Sequence, residues 1–299
     1  MVVARGGCVL FEHYRGGATA DTRFPVYSVA KSVLAILVGI AIDHGALRLD
    51  ETLAEMLPEA ADARLDPGAR AVTVRDLLTM TSGFDVSAVV GDPTKSGPPT
   101  RADLRRILTR PMKTPPGDHF AYDGESVELL SLALSLAIRQ SALRFARRAL
   151  FAPLGMSSAA WSATADGRLF GETDLFLSAR DLAKLGLLLL RHGRWADARI
   201  VAPAFVADAT ARHNAGGPPL DSAYGYLWWI GKTKTRLDAV FAAGSGGQLV
   251  YVVPQSNLVV SVAAQSSHDD NVGLVNDLIL PAEADAPSSA PCVARLGPE

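Results

Sequence analysis

Apolar positions along this chain fall into two rhythms. Residues 33–42 form an unbroken apolar run, 127–138 and 143–151 carry apolar side chains at helical spacing, and 185–190 is a second short run. Patterns of this kind predict buried or amphipathic helices. The last third changes period: residues 224–230, 239–242, 248–253 and 258–264 are short, rich in β-branched and aromatic side chains, and divided by glycine or polar turns. That pattern predicts strands of an antiparallel sheet. Residues 2–14 read the same way, as two strands around a Gly6-Gly7 turn.

Punctuation sharpens these elements. A helix over residues 28–44 is stopped by Gly45, and Pro25 and Tyr27 form an extended approach to it. Residues 72–80 pass from strand to helix, with Thr73 or Thr81 as the cap. Residues 86–99, rich in Gly, Pro, Asp and Ser, predict a surface loop, 101–108 a helix, and 111–117 a break. Ser178 followed three residues later by Asp181 reads as a capping box ahead of the 185–190 run. Residues 272–280 predict a closing helix, and 281–299 a low-complexity, disordered tail. A hairpin at the start, helices in the middle and strands at the end predict an α+β domain over 1–280, with one antiparallel sheet drawn from both termini and flanked by helices.

Composition narrows the function classes. A chain of 299 residues, 48% of them hydrophobic, buries a large core. Its net charge of −2 gives no electrostatic case for nucleic acid or an anionic membrane. The apolar runs are far shorter than the ~20 residues a spanning helix needs. The six histidines are scattered without metal-ligand spacing, so neither a metal nor another cofactor is expected. Cys8 and Cys292 make no disulfide framework and are expected as free thiols. The opening Met-Val-Val-Ala-Arg-Gly-Gly lacks a secretory leader pattern, which sets a cytoplasmic expectation for the sequence as written.

The candidate chemistry lies at the start of the first helix. Ser28 stands at its N-terminus, and Lys31, three residues on, lies one turn further along the same face with its amine in reach of the Ser28 hydroxyl. A serine hydroxyl is a weak nucleophile near neutral pH, and a lysine desolvated against an apolar helix supplies the base it needs. The helix N-terminus favours the negative charge that develops when a carbonyl is attacked.

Several stretches in order resemble the serine beta-lactamase and penicillin-binding protein superfamily, in particular its class C-like esterase and amidase branch, and within it the 6-aminohexanoate-dimer hydrolases. Tyr27-Ser-Val-Ala-Lys31 resembles the nucleophile motif, and Val74-Arg-Asp-Leu-Leu-Thr-Met-Thr-Ser-Gly83 a signature of the branch. Pro115-Pro-Gly-Asp-His-Phe-Ala-Tyr122 resembles the approach to the tyrosine motif, and Ala243-Gly-Ser-Gly-Gly-Gln248 the third motif. The resemblance implies a beta-lactamase-like fold with a mostly helical insertion, and acyl transfer to a small-molecule ester or amide. It makes Ser28 the nucleophile, Lys31 and Tyr122 the proton relay, and the backbone of Ser28 and of Gly246 or Gly247 the oxyanion site. Tyr27, Gly244, Ser245 and Gln248 join Gly246 and Gly247 as candidate substrate-binding residues.

Three departures bear on the activity. Gly124 stands where the superfamily has Asn in Tyr-x-Asn, so that position offers no side-chain amide. The third motif aligns as Gly244-Ser245-Gly246, without the Lys or His that binds a substrate carboxylate, which disfavours the rival beta-lactamase and D-alanyl-D-alanine carboxypeptidase readings. Family members also carry a helix before the first strand, so a longer natural start is expected, or a sheet edge covered by the helix near residue 272. Tyr224, Tyr226, Trp228 and Trp229 are candidates for an apolar pocket wall, while Asp85, Asp123 and Glu125 read by default as solvated loop carboxylates, with substrate contact as the alternative. A sensor domain that acylates without turnover is the reading from a different class.

Overall fold

The structure, a computed structural model, describes residues 1–88, 101–266, 271–284 and 291–298. Gly6 and Gly7 both take positive φ, 57° and 89°, and reverse the chain between strands Val2–Arg5 and Cys8–Glu12. This hairpin joins the late strands in one nine-stranded sheet. Its order is Ala294–Arg295, Cys8–Glu12, Val2–Arg5, Leu258–Val262, Gln248–Val253, Asp238–Gly244, Trp229–Lys232, Ser222–Tyr224 and Asn214–Gly217. Every pairing is antiparallel, with Val3 opposite Val260 and Gly244 opposite Gln248 among the partners. The sheet is therefore drawn from both termini, as an α+β beta-lactamase-like fold requires.

The central strand Gln248–Val253 is buried throughout, so both sheet faces are covered. On one face the helix Ala179–Leu190 lies so close that a Cβ on Gly186 would be 2.6 Å from Val259 and 3.2 Å from Val250 and Val252. On the other, reached by alternate residues, Asn276 from the C-terminal helical segment donates to the Tyr251 hydroxyl at 3.3 Å. The helix Val29–Asp43 is buried along nearly its whole length because the apolar run leaves it no polar face. Thr73 and Ser178 cap their helices in capping boxes with Asp76 and Asp181.

Four expectations are corrected. Residues 224–230 are not one strand: Tyr224 ends one and Trp229 begins the next. Leu227 between them takes φ 56°, and Gly225 N donates to Trp228 O at 2.8 Å. The tail is not disordered where it is described. Leu280–Ala284 continues as helix, Ala294 and Arg295 pair with Val9 and Cys8, and Leu296 is buried. That strand, not the helix near residue 272, covers the sheet edge, satisfying backbone groups the edge would otherwise expose. Finally, Cys8 and Cys292 are not free thiols but are joined as a disulfide with a Cα separation of 5.4 Å, because the tail returns to the second strand. The loop expected over 86–99 lies mostly outside the described residues.

Candidate active site

The site begins where the chain turns into the first long helix. Val26 is fully buried and its N–H donates to Leu175 O at 2.8 Å, which fixes the chain just before the turn. Tyr27 is not extended as expected: it takes φ 45°, a left-handed conformation costly for a residue with a bulky side chain, and its ring is exposed. The kink turns Ser28 into helical geometry, φ −62° and ψ −10°, and its side chain makes no capping bond to its own helix. The hydroxyl is left to another partner.

That partner is Lys31, only 3% exposed, whose ammonium donates to Ser28 Oγ at 2.9 Å and to Glu172 O at 3.2 Å. It lies 3.7 Å from Glu172 Oε2 and 5.3 Å from the centroid of the Tyr122 ring. The structure thus brings together Ser28, Lys31 and Tyr122, and adds Glu172. Tyr122 stacks on Trp229, with centroids 5.6 Å apart and planes 16° apart, and meets Tyr224 edge-on at 6.5 Å. Of the four aromatics considered for a pocket wall, only Tyr224 and Trp229 reach Tyr122. Tyr226 instead donates to Asp208 at 2.6 Å and stacks on His213, and Trp228 is wholly buried.

Asp123 and Glu125, expected as solvated carboxylates, anchor the tyrosine segment. Buried Arg110 donates to Asp123 Oδ2 at 3.0 Å and to Glu125 Oε2 at 3.1 Å, and Asp123 caps the helix Gly124–Ala137 through Glu125 N. Their charge is spent below the site. Asp85 is tied to Ser87 by its side chain and to Arg110 by its carbonyl.

The third motif divides. Gly244 ends its strand hard against the Ser28 turn: a Cβ there would lie 2.4 Å from Val26 O and 3.2 Å from Ser28 N. No larger side chain fits this backbone, so the missing cation is a steric consequence of the close approach. Ser245, Gly246 and Gly247 form the hairpin turn beyond it, with Ser245 exposed. Gln248 is 1% exposed, and its amide is committed to the backbone of Ala264, accepting from its N–H at 3.1 Å and donating to its carbonyl. The glycine beside Ser28 is therefore Gly244, rather than the expected Gly246 or Gly247, and Gln248 ties strand to strand instead of facing the site. Gly246 stays next to the Tyr27 ring, 3.6 Å from where its Cβ would be.

Two carboxylates escaped the motifs. Glu172 follows a loop glycine in no recognisable pattern; the signal available was the bare Gly124 two residues after Tyr122, which leaves a space that something else fills. Glu128, one helical turn beyond Gly124, lies under that loop: its Oε1 accepts the Glu172 N–H at 3.0 Å and its Oε2 meets Arg168 at 3.3 Å. Burial pushes the Glu128 carboxyl up to about 7, the Glu172 charge adds to this, and the Glu172 N–H and Arg168 oppose it. Burial, and then the nearby Tyr122, raise the Tyr224 phenol well above its ordinary value.

A serine, a buried lysine and a phenol thus meet where a helix N-terminus abuts the end of an interior strand of a beta-lactamase-like fold. A sequence profile of the Beta-lactamase family matches residues 1–284, and the chain belongs to that family. It is similar to the 6-aminohexanoate-dimer hydrolase of Paenarthrobacter ureafaciens, 27% identical over 285 residues, spanning 87% of this chain and 70% of that protein. Esterase EstB of Burkholderia gladioli is 27% identical over 175 residues, 52% of this chain and 44% of the esterase. Among solved structures, a beta-lactamase/D-alanine carboxypeptidase from Yersinia pestis complexed with citrate superposes with a TM-score of 0.72 over 94% of this chain and 91% of that one, at 20% identity. At that identity the likeness speaks for the fold alone.

Proposed function

We propose that the chain is a serine hydrolase of esters or short linear amides that works through an acyl-enzyme on Ser28. The observation that carries this reading is the 2.9 Å bond between the buried Lys31 ammonium and an Oγ that caps nothing. Ser28 Oγ attacks the substrate carbonyl in the form of the site in which Lys31 and Tyr122 share a single proton between amine and phenolate, and the Ser28 proton passes to that pair. The carbonyl electrons move onto oxygen, where the N–H of Ser28 and the backbone at Gly244 stabilise them. Collapse of the tetrahedral intermediate breaks the bond to the leaving group, which takes its proton from the same pair. Water then attacks the acyl carbonyl, loses its proton to that pair, and frees Ser28. The related dimer hydrolase and esterase support this substrate range. The crowding at Gly244, where no carboxylate-binding cation fits, weighs against the carboxypeptidase alternative.

The test is burst and steady-state hydrolysis of p-nitrophenyl acetate and butyrate by the parent and Ser28→Ala, with nitrocefin and a 6-aminohexanoate dimer alongside. Ester turnover that disappears in Ser28→Ala supports the reading, and dimer cleavage narrows it. A single stoichiometric burst without turnover makes the chain an acylated sensor instead. Equal rates in both proteins remove Ser28 from the mechanism.

A further inference from the structure

Position 124 opens onto the catalytic cluster, and what fills the room left by its glycine is a charge. An ideal Cβ on Gly124 would lie 1.7 Å from Glu172 Oε2 and 2.8 Å from its carboxyl carbon. No other residue type fits at 124 while Glu172 holds this position. Glu172 is itself clamped through its backbone: its N–H goes to Glu128 Oε1 at 3.0 Å, and its carbonyl takes the Lys31 ammonium at 3.2 Å. The clamp aims the side chain at the site, where its carboxylate stands 3.7 Å from Lys31 and stays 40% exposed.

The charges around this point leave the carboxylate facing outward. Lys31 lies beneath it, almost wholly covered. Asp123 and Glu125 are paired with Arg110, Glu128 with Arg168, and Gly244 has no room for a cationic side chain. Of these charged side chains around Lys31 and Tyr122, the most exposed is therefore the Glu172 carboxylate. A carboxylate only accepts hydrogen bonds, whereas a side-chain amide both donates and accepts. A carboxylate also attracts a cation and repels an anion over several ångströms.

The geometry points to Glu172 as the specificity-determining residue of the site: its carboxylate takes the place of a side chain at 124 and selects acyl groups that carry a positive charge a short chain from the scissile carbonyl over those that carry a negative one. The inference rests on Ser28 being the acylated residue.

The test compares kcat/KM for three p-nitrophenyl esters: the cationic 4-(trimethylammonio)butyrate, its neutral isostere 5,5-dimethylhexanoate, and the anionic hydrogen adipate. In the parent, the cationic ester is expected to lead the anionic one by about tenfold or more, from one charge acting over several ångströms in a partly wet site. In Glu172→Gln that ratio falls about tenfold, with the cationic rate dropping and the anionic rate rising. Because the ratio is taken within each protein, a loss of folded material cancels. The size match has its own test: Gly124→Asn alone loses most of its turnover, and Gly124→Asn with Glu172→Gly recovers it on the neutral ester. A cation-to-anion ratio that stays within about twofold of the parent in Glu172→Gln overturns the proposal while leaving the serine-hydrolase reading intact. Absence of Ser28-dependent release from all three esters overturns both.

Discussion

Two serines begin two buried helices in this protein, and they are used in opposite ways. Ser178 takes extended geometry, φ −80° and ψ 164°, accepts from Asp181 N at 3.1 Å, and has an aspartate three residues on whose carboxylate returns to the Ser178 N–H. Ser28 takes helical geometry, accepts from no backbone N–H of its helix, and takes its hydrogen bond instead from a buried lysine three residues on. An anion in the first turn suits the positive helix terminus, and a cation there opposes it. The Ala179–Leu190 helix has therefore spent its serine on stability. At the head of the Val29–Asp43 helix the same residue type sits beside an unfavourable charge and after a left-handed Tyr27, so local stability has been given up for a hydroxyl poised beside an amine.

The largest expected effect breaks the pair on the functional side. Ser28→Ala should lower ester turnover by at least about a thousandfold, as removal of a nucleophile does, while shifting unfolding free energy by no more than about 0.5 kcal/mol, since no cap is lost. Parallel rate and urea-melt measurements check it; a clear loss of stability would mean that Ser28 also holds the helix. Lys31→Met should lower turnover by about a hundredfold or more. It should leave the melting temperature unchanged or raise it, because an apolar side chain of similar length replaces a buried cation. A marked drop in melting temperature would instead make the Lys31–Glu172 pair part of what holds the fold.

How much of this was legible in the sequence follows from where the information lies. The Ser28–Lys31 pair, the Ser178–Asp181 cap and the antiparallel sheet are written in local spacing, and a helix or strand period decodes them. The Cys8–Cys292 bond is not: at a sequence separation of 284, only the return of the tail to the sheet edge brings the sulfurs together. Gly244 was visible, but its role was assigned to neighbours two and three residues on. Register against Val26 and Ser28, which a single strand does not encode, decides which glycine meets Ser28. Asp123 and Glu125 looked solvated because their partner, Arg110, follows the loop centred on residues 86–99 and reaches them only through the fold. Glu172 escaped because the clue to it was an absence, the side chain missing at 124.

The next prediction sharpens the contrast one layer down, between the carboxylates serving each helix. Asp181 is consumed by its cap and by Ser158, which donates to it at 2.8 Å. Glu128 is buried beneath the Lys31 site, facing Arg168 and the Glu172 charge, and its carboxyl is pushed up to about 7. An unfolded glutamate titrates near about 4.3. Below that pH both states hold the proton; above it the unfolded chain releases the proton while the fold still keeps it. Glu128 therefore contributes stability that is fully present below about pH 4.3 and is lost as pH rises through about 7, on the order of 4 kcal/mol in total. Urea unfolding at pH 5 to 8 should show this decline in the parent and a flatter profile in Glu128→Gln. Parallel profiles would mean that Arg168 keeps Glu128 ionised throughout.

The smallest effect tests the stability side of the pair. Ser178→Ala removes the oxygen that accepts from Asp181 N and leaves that N–H without its cap, while Asp181 keeps its bonds to the Ser178 N–H and to Ser158. Loss of a serine N-cap costs about 1 kcal/mol, and the Ala179–Leu190 helix is packed along the sheet, so the cost should appear as a lower urea midpoint with an unchanged slope. Ester turnover per folded molecule should stay at the parent value, because Ser178 lies on neither the Ser28 turn nor the Tyr122 segment. The two alanine substitutions then give mirror-image outcomes from the same residue type at the same position in two helices: activity lost with the fold intact at Ser28, and stability lost with activity intact at Ser178. If Ser178→Ala lowered turnover without moving the midpoint, the division of labour between the helices would fail, and the 179–190 helix would have to be counted as part of the catalytic site.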